Sequence, residues 1–350
     1  MKNFSLIVFI ICISFTSYGQ IIIVNNADDA ESSFSLERLV EDVLISSECS
    51  KVDNFSTQVS GTPSQTTTKS YGFFKRPVGS SFPFDKGIIL TNGRAYQAGN
   101  NIVTPIVTPS AGGNAYPNNI NNLGGDTDLE VALSQNNTSD ATYVKFNFVP
   151  LVNTISFRFL MASEEYNRES ECNFADSFAF LLREVGTTTY RNLAVLPNGQ
   201  RVSVRNINNA ANCRSNNDFF GGYGIADTNY GGRTKVLTAS ATVEPNKIYE
   251  IKIVVADQGD AQWDSAIFLE AGSFSIGGNL GGNRTIKSGN PGCVGKTLEL
   301  DATLALPDVT YKWFKDGVEQ VGKTEATFDV TTDGIYRVEI DVAAGCSSSD

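Results

Sequence analysis

The chain contains no histidine. That single absence removes Ser-His-Asp and Cys-His catalysis and every histidine-ligated metal centre. Carboxylates, tyrosine, lysine and hard cations held by oxygen are what remain for chemistry. Basic residues are scarce too: Lys and Arg number 27 against 38 Asp and Glu, and the net charge of −11 argues against nucleic acid or an anionic membrane surface as partner. Long apolar runs are also missing. The stretch Leu6–Ile13 falls well short of the roughly 20 residues a spanning helix needs, so no direct membrane insertion is expected. Behind Met1-Lys2 and ahead of Ser17-Tyr18-Gly19-Gln20 it reads instead as a cleavable export signal over residues 1–19. Cys12 lies inside this run and not behind a small-residue box, so lipid attachment is not expected.

What is present suits a secreted or cell-surface globular protein. The 350 residues, 41% hydrophobic, are enough for two domains, with about 150 residues per domain as a soft prior. Removal of the signal leaves Cys49, Cys172, Cys213, Cys293 and Cys346. Export permits disulfides, and none of these spacings is that of a zinc knuckle. Cys293 with Cys346, bracketing the C-terminal region, is the first expected pair. Cys172 with Cys213 is the second, which leaves Cys49 over.

One helix is expected, over Ser33–Ile45. Leu36, Leu39, Val40, Val43 and Leu44 recur at three- and four-residue spacing, and Ser32 or Ser33 supplies a capping oxygen. Beyond it the period changes to two. Val144, Phe146 and Phe148 alternate with polar residues, as do Ile155, Phe157, Phe159 and Met161, then Phe178, Phe180 and Leu182, then Tyr249, Ile251, Ile253 and Val255. These are strands with one buried face. The Asn- and Gly-rich stretches 100–125 and 206–232 read as surface loops, where binding usually resides.

The fold expected is therefore all-β: a large, jelly-roll-like β-sandwich over 20–275 with one N-terminal helix, a Gly-rich linker over 276–283, and a small Ig-like β-sandwich over 284–350. In the second unit Trp313 is the expected core residue, Asp316-Gly317 a turn, and Asp333-Gly334-Ile335-Tyr336 a tyrosine corner. The chain stops four residues after Cys346, where a last strand would follow, so this sequence reads as the front of a longer protein.

Residues of about 33 to 275 resemble the choice-of-anchor L domain of secreted and surface proteins in gliding and related Gram-negative bacteria. The resemblance is carried by Leu39-Val40-Glu41-Asp42-Val43-Leu44, Phe84-Asp85-Lys86-Gly87 with Ile88 to Gly93, and Gly125-Asp126-Thr127-Asp128-Leu129. It continues through Phe146 to Pro150, Ala162-Ser163-Glu164-Glu165-Tyr166, Asp176 to Phe180, Ala256-Asp257-Gln258-Gly259-Asp260 and Trp263-Asp264-Ser265-Ala266. A cysteine that the resemblance implies before the Tyr249 strand is absent at Pro245-Asn246-Lys247, which accounts for an unpaired thiol in the first domain. Residues 284–350 resemble the Ig-like or PKD-like repeats that follow in such proteins. Export of such proteins often runs through a type IX secretion system, and their attachment to the surface differs from one to the next.

Three constellations could carry chemistry. Asp126 and Asp128, two apart, would present both carboxylates to one side of an extended segment, and Asp257, Asp260 and Asp264 share a Gly-containing loop. An oxygen-only site of this kind suits Ca²⁺, and at least three of these five carboxylates are expected to approach one another on one edge of the first sandwich and hold it. Against this stands the ordinary use of aspartate to set turns. Glu164 and Glu165 invite a glycosidase reading, but on a strand adjacent residues face opposite ways, so the two could not act on one bond. Asp176-Ser177-Phe178-Ala179-Phe180 is similar to the aspartate-led strand of legume-type lectins, and Tyr96, Tyr116, Tyr223, Tyr230 and Trp263 are aromatic residues that could stack on sugars. The function expected is non-enzymatic: adhesion or surface recognition of a glycan or protein ligand, with the first domain as binding module and the second as spacer. The alternatives are a carbohydrate-binding module of a larger secreted enzyme and a carboxylate-dependent glycoside hydrolase.

Overall fold

The structure is a computed structural model that describes residues 20–45, 52–100, 123–259, 263–275, 280, 297–304, 307–342 and 346–349. The signal segment, Cys49, Tyr116, Asp260, Cys293 and nearly all of the expected linker lie outside the described residues. With them lies the expected Cys293–Cys346 pairing.

In chain order the strands of the first domain are β1 (Ile23–Val24), β2 (Val52–Gln58), β3 (Tyr71–Lys75), β4 (Lys86–Thr91), β5 (Thr138–Phe148), β6 (Thr154–Ser163) and β7 (Ser177–Glu184). They are followed by β8 (Arg191–Asn192), β9 (Phe220–Tyr223), β10 (Gly232–Thr234), β11 (Leu237–Thr242), β12 (Tyr249–Gln258) and β13 (Ser265–Glu270). They form two antiparallel sheets. One runs β1-β3-β4-β13-β6-β10-β9, with β11 also on β6, and the other runs β2-β5-β12-β7-β8. The large two-sheet β domain expected from the alternation is present.

The sheets meet through aromatic rings. Phe157 and Phe159 on β6 each stand 4.8 Å, edge to face, from Phe180 on β7, the arrangement ring quadrupoles favour. Phe146, Phe148, Ile251 and Ile253 complete this inner core. A second cluster, with Phe74, Phe82, Phe84, Leu160 and Phe268, fills the other face of the β6-containing sheet beneath Ile21 and Ile22. That sheet is thus buried on both faces.

The helix is shorter and less regular than its spacing implies. Its α-turn α1 is Leu36–Leu39, capped by Ser35, whose oxygen accepts from Arg38 N–H at 3.3 Å. Ser33 instead closes a 3₁₀ turn. Over Val40–Leu44 the chain widens to a π-turn in which Ile45 N–H reaches the Val40 carbonyl. The reason is packing: Leu36, Leu39, Val40, Val43 and Leu44 all enter the inner core, while residues 272 and 274 bond the carbonyls of Val43 and Leu44.

A second helix, α2 (Thr127–Leu133), stands where an extended segment is expected. Asp126 caps it, accepting from Leu129 N–H at 2.8 Å, and the orphan N–H groups of the first turn explain why aspartate sits there. Leu129 then packs over Ala179, Leu181, Val254 and Ala256 on the outer face of the second sheet.

The C-terminal region holds two small sheets. One pairs β14 (Leu298–Asp301) with β17 (Thr327–Val330), and the other orders β15 (Val309–Lys315), β16 (Val318–Glu319), β18 (Tyr336–Val342) and β19 (Cys346–Ser349) as β16-β15-β18-β19. Trp313 is fully buried, with its indole N–H on the Glu325 carbonyl at 2.9 Å. Asp316 and Gly317, both at positive φ, turn β15 into β16. The Tyr336 hydroxyl donates to the Thr332 carbonyl at 2.8 Å, tying the corner as its position implies.

Candidate functional site

Strand ends from both sheets of the first domain converge on a buried acidic cluster, and one amide organises it. Asn92 follows β4. Its Nδ2 donates to Asp176 Oδ2 at 2.9 Å and to Asp257 Oδ1, while its Oδ1 accepts from Ser265 N–H at 2.8 Å. Asp257 comes from β12 just past a bulge, Asp176 immediately precedes β7, and Ser265 opens β13. Glu165 completes the group: it accepts from the Ser163 hydroxyl, from Asp176 N–H at 3.1 Å and from the Ser265 hydroxyl at 3.3 Å. Glu164 accepts from Asp264 N–H at 2.9 Å. All six side chains, those of Asn92, Glu164, Glu165, Asp176, Asp257 and Asp264, are buried.

Glu164 and Glu165 therefore stand differently from the expectation. β6 ends at Ser163, and the two glutamates lie in the turn beyond it, where the strand alternation no longer applies. Both reach the Asp264–Ser265 segment. Opposite facing does not separate them.

Burial and crowding hold the cluster's protons. Burial pushes Glu165 up to about 7, with the hydrogen bonds from Ser163, Asp176 N–H and Ser265 opposing it. Burial, then the Glu165 charge, raises Asp176 well above the carboxylate range. Asp257 rises for the same first reason, followed by the charges of Asp176, Asp264, Asp140 and Glu165. Like charges packed in a medium of low dielectric cannot all ionise. At neutral pH the group shares protons, and its acids can both donate and accept.

Of the five aspartates singled out from the sequence, the four that are described divide between two faces. Asp126 and Asp128 both meet the buried Lys252 ammonium, Asp128 at 2.9 Å. Lys252 stands on the outer face of β12, in step with Val254 and Ala256, and lies 4.2 Å from the Tyr143 ring centroid. Asp257 and Asp264 belong to the acidic cluster on the other side, and Asp260 lies outside the described residues. Among the described residues no group of three or more Asp, Glu, Cys or His side chains is arranged to hold a metal ion.

Glycine at 125 positions the capping aspartate, since a Cβ there would sit 2.1 Å from the Thr138 carbonyl. Trp263, at φ +60°, is a bulky residue in the left-handed region directly before Asp264. Of the aromatic residues considered for stacking, Tyr230 is fully buried and bonds to Thr91, whereas Tyr96, Tyr223 and Trp263 are half-buried. Asn92 escaped notice as a hub because an Asn before a Gly reads first as a turn.

Beside the cluster, the segment from Arg191 to Lys235 is folded over the sheets and not left as an open loop. Cys172 and Cys213 are joined by a disulfide, with Cα atoms 5.5 Å apart, so the second of the two expected pairs is present. Leu193, Leu196, Val202, Val204 and Ile207 enter the inner core. Tyr166 donates its hydroxyl to the Ile207 carbonyl at 2.7 Å, which locks this segment to the turn that carries Glu165.

Comparison with known proteins gives one result: residues 24–275 match the Choice-of-anchor L domain. Neither a curated protein nor a solved structure matches the chain.

Proposed function

The chain belongs to the choice-of-anchor L domain family, and from that premise we propose that it is an exported cell-surface protein whose first domain recognises a surface glycan or protein ligand and whose C-terminal, Ig-like region serves as a spacer. Proteins with this domain are typically secreted or surface-borne, and the Cys172–Cys213 disulfide fits an oxidising compartment. The observation that supports recognition over catalysis is the way the acidic cluster is used. Its carboxylates accept backbone N–H groups of Asp176 and Asp264 and the amide of Asn92, so they bind strand ends to one another. The surface the domain offers is then the disulfide-tied segment beside them.

The test is adherence. Beads carrying the mature chain are expected to bind bacterial surface polysaccharide or protein saturably, and soluble mature chain is expected to compete. No saturable binding to any such surface contradicts the reading.

A second reading is favoured by one observation. Glu165, held near 7, stands beside Asp176, as a general acid beside a second carboxylate would. A hydrolase of this kind would lose sugar cleavage in Glu165→Gln. A recognition domain would show no cleavage to lose.

A further inference from the structure

A sheet edge is a row of unpaired N–H and C=O groups, and proteins ordinarily shorten it, bend it or charge it. The edges at β1, β8, β2 and β9 follow that rule. β1 and β8 have two residues each. β2 breaks register between Asp53 and Ser56, with Asn54 at φ +54°, and β9 carries Gly221 and Gly222 opposite a register shift in β10. β11 is different. It pairs with β6 alone, over six consecutive residues from Leu237 to Thr242 with no break in register, and none of the six is charged or a proline.

The hydrogen bonds around β6 show which way the groups of β11 point. Val243 N–H donates to the Asn153 carbonyl at 2.9 Å, so Ala241, Ala239 and Leu237, in step with it, bond to β6. On the far side of β6, Ser156 and Ser275 exchange backbone bonds, and Arg158 N–H donates to the Ser273 hydroxyl at 3.1 Å. The backbone N–H and C=O groups of Thr238, Ser240 and Thr242 therefore point away from the sheet. Among the described residues their one partner is the guanidinium of the exposed Arg191, which donates to the Thr242 carbonyl at 3.3 Å, and a carbonyl has a second lone pair. Leu237, Ala239, Ala241 and Val243 are anchored in the inner core. The edge is thus fixed in place while the Thr238, Ser240 and Thr242 side chains stay exposed.

We propose that this edge pairs with itself: two copies of the chain join antiparallel, β11 to β11, about a two-fold axis at Ser240. Thr238-Ala239-Ser240-Ala241-Thr242 reads the same in both directions. A two-fold axis therefore sets Ser240 opposite Ser240 and Thr238 opposite Thr242. Threonine and serine pairs hydrogen-bond favourably across antiparallel strands, and no like charges meet within the strand. An isologous contact of this kind closes at two copies. On the recognition reading, two linked binding surfaces gain avidity on a repeating polymer. The pairing itself does not depend on that reading.

Sedimentation of the mature chain from about 1 to about 100 μM tests it. A monomer–dimer equilibrium is expected. Ser240→Pro removes the central outward donor and leaves the bonds to β6, and Ser240→Lys sets two ammonium groups at the axis. Both variants are expected to stay monomeric over that range with the parent's circular dichroism. Ser240→Cys is expected to form an inter-chain disulfide beyond any the parent forms, because opposed residues of a hydrogen-bonded pair have Cα atoms about 5.5 Å apart. Thr238→Cys is not, since its counterpart lies four residues along the other strand, at about 3.4 Å per residue. A parent that is monomeric throughout, a dimer that survives Ser240→Lys, or equal cross-linking through Thr238→Cys and Ser240→Cys overturns the assignment. A monomeric parent that still adheres to surface polysaccharide or protein refutes the pairing and leaves the recognition reading standing.

Discussion

At the scale of single residues the first domain is organised by buried charges in two different states. Lys252 is an ion-paired cation: it meets Asp126 and Asp128 and has almost no access to water. Removing one partner from such a group leaves the other buried and uncompensated, at about 3–5 kcal/mol. Lys252→Met is therefore expected to lower stability to denaturant by that order. Lys252→Met combined with Asp126→Asn, which keeps a capping oxygen, is expected to recover part of it. The acidic cluster is the opposite case, in which protons stand in for cations. Glu165 titrates near 7 in place of the ordinary 4.5. Between those values the folded chain keeps a proton that the unfolded chain has released, so this group's contribution falls as pH rises through the window, by about 1.4 kcal/mol per pH unit. Burial raises Asp176 as well, and Asp257, pushed up to about 12, extends the decline above pH 7. Asp257→Asn keeps the shape without the charge. Its stability relative to the parent is expected to grow from pH 5 to pH 8 in urea titrations, and a difference that shrinks over that range contradicts the proton-sharing cluster.

At the scale of elements, the strands were legible because period-two burial is a strong constraint. Phe146, Phe148, Phe157 and Phe159 point inward as their spacing implies. Two elements were not. The helix α2 was hidden because Thr127–Leu133 is only seven residues long and buries one residue fully, Leu129, too little for a periodic signal. The available sign was Asp126 itself, which caps as readily as it ligates. The acidic cluster was hidden for a topological reason: Asn92, Glu165, Asp176 and Asp257 come from four separate strand ends, and no local pattern records which ends meet. The Cys172–Cys213 bridge could be ranked by spacing but not fixed by it. It closes a loop with a sequence separation of 41, which confines the unfolded chain by about 4 kcal/mol in the chain-entropy view. Cys172→Ser with Cys213→Ser is expected to cost stability of that order. Hydrogen exchange is expected to show the loss of protection concentrated between Val202 and Tyr223, with β5 and β12 unchanged until global unfolding.

At the scale of the whole molecule, a choice-of-anchor L domain and a disulfide-tied flank on its β-sandwich fit a protein used outside the cell. The central claim is that the first domain recognises a surface ligand without transforming it. The most direct measurement is incubation of the mature chain with bacterial surface polysaccharide, following bound protein and released reducing ends together. The account predicts saturable binding with no increase in reducing ends, and the same outcome in Glu165→Gln. Release of reducing ends that disappears in Glu165→Gln would contradict it.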